Sequence, residues 1–198
     1  MKFVVVFDLD GTLVDSVELH AKAFKFAIKS LGYKNIEKLY KEFKKLVGIQ
    51  LEEIIKILIP NISSKEIKKI RFLKDKYFIK NIGKIKEKKK VIKILKELKQ
   101  KNIKVALFTS SPKKITRIIL KKFKLEKYFD YLVCKEDVKN SKPNKEGLIK
   151  IMNKFKTKNL VFVGDSKYDK LAAKNAKIKF LNVKKLNKEK IYKILGID

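Results

Sequence analysis

A run of apolar residues at positions 3–7 is followed at once by two carboxylates, Asp8 and Asp10. Five successive apolar residues, three of them valine, are typical of a strand buried on both faces of a sheet. Because an unpaired buried carboxylate is unfavourable, Asp8 and Asp10 need a cation, hydrogen-bond donors or a shifted pKa. Gly11 allows the chain to turn immediately after them. The stretch therefore predicts either a metal-assisted phosphoryl site at the end of a strand or an ordinary acidic Asp-Gly turn.

Residues 15–82 carry a helical pattern without a strand signal. Apolar residues recur at three- and four-residue steps, and Gly32, Gly48 and Pro60 separate four predicted helices. Ser63 or Ser64 is a candidate cap for the fourth of these helices, which extends to about position 81. We therefore predict an all-helical segment that follows the first strand.

From position 86 onward, helical and strand patterns alternate. Apolar strand-like runs occur at residues 103–108, 131–134, 160–163 and 178–183, and each is followed by a helical pattern. Alternating strands and helices imply a parallel sheet that is covered on both faces. The predicted fold is α/β: a doubly wound core formed by residues 1–14 plus 83–198, with the helical segment 15–82 inserted.

Polar residues follow several of these strands. In a parallel sheet the carboxyl ends of the strands meet at one edge, where ligands bind. The group comprises Asp8 and Asp10, Thr109 and Ser110, and Asp165 and Asp169, together with Lys142 before Pro143. Each residue has an ordinary alternative role, such as a helix cap, an early-helix acid or a surface lysine. The ordinary roles do not explain why all these residues occur together.

The chain resembles the haloacid dehalogenase superfamily, in particular the subgroup of phosphoglycolate phosphatase and β-phosphoglucomutase. In that subgroup a helical cap follows the first motif of a Rossmann-like core. Four motifs carry the resemblance, in the family's order and spacing. They are the nonapeptide at residues 8–16 (Asp-Leu-Asp-Gly-Thr-Leu-Val-Asp-Ser), Thr109, Lys142 in Ser-Lys-Pro, and Gly-Asp-Ser-Lys-Tyr-Asp at residues 164–169. The resemblance covers essentially the whole chain.

The resemblance implies a role for each acidic residue. Asp8 is expected to be the nucleophile, which forms an aspartyl-phosphate. Asp10 is expected to act as general acid and base. The expected Mg²⁺ ligands are Asp8, the main-chain carbonyl of Asp10, and Asp165, with Asp169 assisting directly or through a second shell.

The phosphoryl oxygens are expected to bind Thr109, Ser110 and Lys142. The carboxylate at Asp10 favours phosphatase or phosphomutase chemistry, because the superfamily's dehalogenases lack an acid there and its transport ATPases carry threonine. The resemblance thus implies a Mg²⁺-dependent phosphatase of a small phosphorylated metabolite, similar to phosphoglycolate phosphatase.

Contacts to the substrate are expected from the cap as well. The candidates are His20, Gly48, Gln50 and Lys76, although a half-buried structural role is favoured for His20. Leu51 stands where β-phosphoglucomutases carry an arginine for a second phosphate. This difference weakens, but does not remove, the alternative of a β-phosphoglucomutase-like phosphotransferase.

Charge leaves a third hypothesis open, a non-enzymatic polyanion-binding protein. The 198-residue chain has a formal net charge of +31. The lysines are spread over almost every segment, only two arginines occur, and no nucleic-acid-binding motif is found. We therefore expect non-specific binding to polyanions and no specific nucleic-acid partner.

The remaining expectations concern the surroundings of the protein. One cysteine excludes an internal disulfide framework. Neither a long apolar segment nor a leader pattern is found, so the chain is predicted to be cytoplasmic, without a membrane partner. The sequence leaves open whether the protein is a monomer or a dimer.

Overall fold

A computed structural model of the chain describes residues 3–197, in which five parallel strands form one sheet with the order β3-β2-β1-β4-β5. The strands are β1 (Val4–Phe7), β2 (Lys104–Phe108), β3 (Tyr131–Val133), β4 (Leu160–Gly164) and β5 (Lys179–Asn182). The predicted strands and the α/β fold are confirmed. The order places β1 at the centre, so the residues that follow it lie in the middle of the carboxyl edge.

Alternate residues of β1 enter two apolar clusters, one on each face of the sheet. Val5 and Phe7 belong to one cluster, and Val4 and Val6 belong to the other. All four side chains are fully buried. The apolar run thus has the double burial expected of a central parallel strand.

Nine α-helices lie within the described residues. They are α1 (Val17–Ser30), α2 (Ile36–Leu46), α3 (Leu51–Leu58), α4 (Ser64–Lys80), α5 (Lys89–Gln100), α6 (Lys113–Lys122), α7 (Glu146–Phe155), α8 (Lys167–Asn175) and α9 (Lys188–Leu195). Within residues 3–197, none of them is both long and apolar enough to cross a membrane.

Helices α1–α4, here called the helical insert, all lie between β1 and the rest of the sheet in the chain. They share a third apolar cluster, in which the rings of Phe24 and Phe43 stack with centroids 4.4 Å apart. Helix α4 begins with a capping box, because the Ser63 hydroxyl accepts from the main-chain N–H of Glu66 and the Glu66 carboxylate accepts from that of Ser63. That the insert is a separate domain with the boundaries 15 and 82 stays a prediction.

Helix α7 packs closely on the sheet at Gly147, and this packing can be tested by its effect on the free energy of unfolding. Gly147→Ala is expected to lower the free energy of unfolding by about 1–3 kcal/mol, because a Cβ there would lie 2.2 Å from the buried ring of Phe108. The better helix propensity of alanine, worth about 1 kcal/mol, offsets only part of this strain. Urea unfolding measures the effect, with Gly83→Ala as the control, since nothing lies within 4 Å of a Cβ at Gly83. Equal stability of the two variants would contradict the described packing.

Candidate active site

Asp8 follows directly after the central strand and lies in a buried ion cluster. The Lys142 ammonium donates to Oδ1 of Asp8 and to Oδ1 of Asp169, both at 2.7 Å. Asp8, Lys142 and Asp169 are 4%, 1% and 0% exposed. Removing Lys142 would therefore leave two buried carboxylates without a counter-charge.

Asp169 has a second, structural role that the sequence also suggested. It lies in the first turn of α8, where its Oδ2 accepts from the main-chain N–H of Ser166 at 3.0 Å and from the Ser166 hydroxyl at 2.6 Å. One carboxylate oxygen thus caps the helix and the other contacts Lys142. This capping fixes the direction in which Oδ1 points.

Asp165, which follows β4, completes an acidic group with Asp8 and Asp169. One carboxylate oxygen from each residue lies within 4.8 Å of the others. The Thr12 hydroxyl donates to Oδ1 of Asp165 at 3.1 Å, and Gly11 approaches so closely that a Cβ would lie 2.3 Å from Oδ2. Three convergent carboxylate oxygens are a donor set for a hard divalent cation.

The acidic group holds more negative charge than Lys142 neutralises. Burial raises the pKa of Asp8 well above its usual value, and Asp169 and Asp165 raise it further, while Lys142 acts in the opposite direction. Burial and the charge of Asp169 also raise the pKa of Asp165. Burial alone would lower the pKa of Lys142, but Asp169 and Asp8 outweigh this effect and raise it. A bound dication would relieve the repulsion among these carboxylates.

The Asp10 carboxylate lies outside the acidic group, which comprises Asp8, Asp165 and Asp169 in the described part of the chain. Its Oδ1 accepts from the Ser16 hydroxyl at 2.6 Å and contacts His20 Nε2 at 3.0 Å, and its Oδ2 accepts from the Ser111 hydroxyl at 2.6 Å. Burial acts to raise the pKa of Asp10, but His20, Ser111 and Ser16 together bring it below its usual range. These contacts thus fix the side chain in an orientation that points away from Asp165 and Asp169.

His20 is buried rather than half-buried as we expected. It is 6% exposed, its ring stacks on Phe78 with centroids 4.2 Å apart, and its Nδ1 lies 3.1 Å from Nζ of Lys74. Burial and the charge of Lys74 lower the pKa of His20. A neutral ring that donates from Nε2 to Asp10 and accepts from Lys74 at Nδ1 satisfies both contacts.

Lys74, and not the predicted Lys76, lies in this region. Lys74 is 5% exposed and lines the cleft above Asp8, whereas Lys76 is exposed and does not line it. Helical spacing could have indicated that Lys74 is buried. It lies four residues after Ile70 and four before Phe78, and both of these residues are fully buried.

Thr109 and Ser110 lie at the end of β2, as predicted. The Thr109 side chain is 1% exposed, and its Oγ1 accepts from the main-chain N–H of Ser111 at 3.0 Å. The Ser110 hydroxyl donates to the main-chain carbonyl of Gly48 at 2.8 Å, which joins the sheet edge to the insert. Gly48 lines the cleft, but Gln50 is not among its lining residues.

These residues surround a cleft between the sheet edge and the insert. Its cavity volume is about 60 Å³, enough for several water molecules or the polar part of a small metabolite. The lining includes Asp8, Asp10, His20, Gly48, Thr109, Ser110, Lys142, Arg71, Lys74 and Lys135. The cleft thus brings together the predicted core residues other than Asp165 and Asp169, and it adds three cations that the sequence did not single out.

Comparison with known proteins agrees with this geometry. Residues 5–183 match a family model described as haloacid dehalogenase-like hydrolase. A phosphorylated carbohydrates phosphatase of Thermotoga maritima is 32% identical over 181 residues, covering 88% of this chain and 81% of the relative. A phosphoglycolate phosphatase of Vibrio parahaemolyticus is 32% identical over 183 residues, covering 87% of this chain and 79% of that protein.

Solved structures show the same fold. A hydrolase from Pseudomonas syringae superposes with a TM-score of 0.82 at 21% identity and covers 98% of this chain and 90% of its own. The family match extends over most of the chain, from β1 through β5, and includes each of the four motifs at the sheet edge. The chain belongs to the haloacid dehalogenase-like hydrolases.

Proposed function

We propose that the protein is a Mg²⁺-dependent phosphatase that hydrolyses a small phosphorylated metabolite through an aspartyl-phosphate on Asp8. The observation that carries the proposal is the buried cluster of Asp8, Asp165, Asp169 and Lys142 at the end of the central strand. Relatives named as phosphatases support the same reaction class. The small volume of the cleft favours a small substrate.

The residues present fit Mg²⁺, because the three carboxylates supply the oxygen ligands that this cation prefers. When bound, the cation neutralises charge on the carboxylates and on the phosphoryl oxygens, so that an anionic nucleophile can approach an anionic group. Asp165 and Asp169 would hold it together with one oxygen of Asp8. Lys142 and Thr109 would bind the remaining phosphoryl oxygens.

The proposed chemistry has two displacements at phosphorus. An oxygen of ionised Asp8 forms a bond to phosphorus while the bond to the leaving oxygen breaks, and that oxygen takes a proton from Asp10, which enters the reaction in its protonated form. A water molecule then attacks the aspartyl-phosphate, gives a proton to Asp10, and the Asp8–phosphorus bond breaks. The products are an alcohol or acid and inorganic phosphate, and both carboxyl groups return to their starting states.

The test is hydrolysis of an aryl phosphate by the purified protein with and without Mg²⁺. We expect release of phosphate that requires both Mg²⁺ and Asp8. A sugar phosphate assay distinguishes the alternative, because a phosphotransferase would isomerise the sugar phosphate faster than it releases phosphate. Absence of Asp8-dependent turnover on any phosphate ester would contradict the proposed function.

His20 is proposed to position the Asp10 carboxylate, since its Nε2 contacts Asp10 and its Nδ1 contacts Nζ of Lys74. His20→Ala is expected to lower kcat about 10–100-fold with little change in KM, because it releases the Asp10 carboxylate from its fixed orientation. His20→Gln retains a donor and should recover part of the loss. Lys22→Ala, on an exposed part of the same helix, serves as the control. A change in KM alone would contradict the positioning role.

A further inference from the structure

The two segments that connect the helical insert to the core run side by side. Residues 13–15 lead from the core to the insert, and residues 86–88 lead back. An antiparallel bridge joins the two segments, and the main-chain N–H of Lys88 donates to the carbonyl of Leu13 at 2.9 Å. Lys88 therefore lies beside the loop of residues 11–13 that follows Asp10.

Lys88 is also the N-cap residue of α5, and lysine is a poor choice for that position. A helix N-terminus carries a partial positive charge and favours a side chain that accepts hydrogen bonds. Helices α4, α8 and α9 of this chain each begin with a serine or asparagine whose side chain does so. The side chain of Lys88 does not cap α5. A residue that departs from a local rule is a candidate for a role elsewhere in the structure.

The ammonium of Lys88 contacts the 11–13 loop instead of its own helix. It donates to the main-chain carbonyl of Gly11, and the residue is half-buried. Together with the main-chain contact to Leu13, this hydrogen bond gives Lys88 a hold on both neighbours of Thr12. One residue of the returning segment thus fixes the loop in which Thr12 lies.

Thr12 and Gly11 in turn pack against Asp165, one of the three carboxylates of the acidic group. Thr12 is fully buried, and its hydroxyl donates to Oδ1 of Asp165 at 3.1 Å. Gly11, with a φ of +82°, lies so close that a Cβ would be 2.3 Å from Oδ2 of Asp165. Burial and Asp169 raise the pKa of Asp165, while the nearby charge of Lys88 has a smaller effect in the opposite direction. A displacement of the loop would therefore disturb Asp165.

We propose that Lys88 is a positioning residue for the divalent cation site, which acts by holding Gly11 and Thr12 against Asp165. The inference rests on the proposed function, because it concerns the Mg²⁺ site of that function. Lys88 acts here through the loop and not by contact with the substrate. Because it belongs to the segment that returns from the insert, it links the connection between insert and core to a metal ligand.

The test is Lys88→Met, which removes the ammonium and keeps a side chain of similar length. We expect the Kd of Mg²⁺, measured by calorimetry on the folded protein without substrate, to rise about 3–10-fold, as for the loss of one hydrogen bond. The KM for an aryl phosphate at saturating Mg²⁺ should be nearly unchanged. Lys88→Arg retains a cationic donor and should recover most of the loss.

The direction of the change separates positioning from two other roles. If Lys88 acted only through its charge, its removal would strengthen Mg²⁺ binding, because a positive charge near the site repels the cation. If Lys88 only stabilised the fold, the unfolding midpoint would fall while the Kd of the folded protein stayed constant. Tighter or unchanged Mg²⁺ binding by Lys88→Met would therefore overturn the inference.

A double-mutant cycle tests whether the effect passes through Thr12. Thr12→Val removes the hydroxyl that donates to Asp165 and keeps nearly the same volume. It should raise the Kd of Mg²⁺ by a similar factor, and Lys88→Met should add little to it, because both changes act on one contact. Fully additive effects would overturn the proposed path.

Lys89→Met and Lys90→Met are matched controls, since each removes an exposed lysine from the start of the same helix. Both should keep the wild-type Kd, and an equal rise in these variants would overturn the inference by assigning the effect to net charge. Mg²⁺ binding that is the same in the wild type and Lys88→Met would leave the proposed function intact. Absence of Mg²⁺ binding by the wild type would overturn the proposed metal dependence together with the inference.

Discussion

Asp8→Asn is expected to abolish phosphate release, with a loss in kcat of at least about 10⁴-fold. The amide has nearly the shape of the carboxylate but cannot form the proposed acyl phosphate. It also removes one of the three carboxylates of the acidic group. Because both the nucleophile and a metal ligand are lost, no other change of one side chain should have a larger effect.

The variant should remain folded, which keeps the result interpretable. Burial raises the pKa of Asp8, so its ionised form is disfavoured where it lies, and the neutral amide does not add an unpaired charge. Lys142 keeps its contact with Asp169. Thermal unfolding should therefore give a midpoint no lower than that of the wild type.

Asp15→Asn is the matched control, since Asp15 belongs to the same nonapeptide and is exposed. It should retain wild-type kcat. Rapid acid quenching followed by mass spectrometry should detect phosphate on the peptide that contains Asp8 in the wild type and in the control. Substantial turnover by Asp8→Asn, or phosphate on another residue, would contradict the proposed nucleophile.

The sheet-edge residues could be predicted from sequence because two local rules determine their location. A fully apolar run becomes a buried parallel strand, and the residue after it lies at the carboxyl edge. Asp8, Thr109 and Asp165 all follow such runs, so their place at one edge needs no knowledge of the strand order, whereas their proximity depends on β1 lying between β2 and β4. The order itself, with β1 at the centre, depends on how the crossovers pack and was not predicted.

The cleft cations were harder to find, for a physical reason. Lys74, Arg71 and Lys135 come from one helix of the insert and from one loop of the core, and they meet through packing between distant parts of the chain. Because the chain contains 50 lysines, the residue type alone does not indicate which of them line a site. The rarity of arginine argues against nucleic-acid recognition, and it also makes Arg71 an unusual residue in this chain.

The environment of Asp10 could not be predicted from motif spacing alone. The resemblance assigned its main-chain carbonyl to the metal and its side chain to proton transfer. The structure directs the carboxylate to Ser16, His20 and Ser111, away from the acidic group. Ser16 and His20 lie at the start of the insert, so the position of the insert controls the proposed acid and base.

Removal of divalent cations is the second change with a very large expected effect. Chelation should lower phosphatase activity at least about 10³-fold, because the cation offsets several kcal/mol of repulsion between the anionic nucleophile and the phosphoryl group in the transition state. Added Mg²⁺ should restore the activity. Full activity in the presence of excess chelator would contradict a metal-dependent mechanism.

A readout independent of activity tests the same site. Mg²⁺ at about 100 times its Kd should stabilise the folded wild type by about 2.7 kcal/mol, since it binds a carboxylate group that exists only in the folded chain. Asp165→Asn should weaken this binding at least about 10-fold, whereas Asp15→Asn should leave it unchanged. Titration of the unfolding midpoint with Mg²⁺ measures both. Repulsion among the carboxylates helps to raise the pKa values of Asp8 and Asp165. A cation bound there must relieve this repulsion and so stabilise the folded chain. A wild-type midpoint that does not respond to Mg²⁺ would therefore contradict the proposed site.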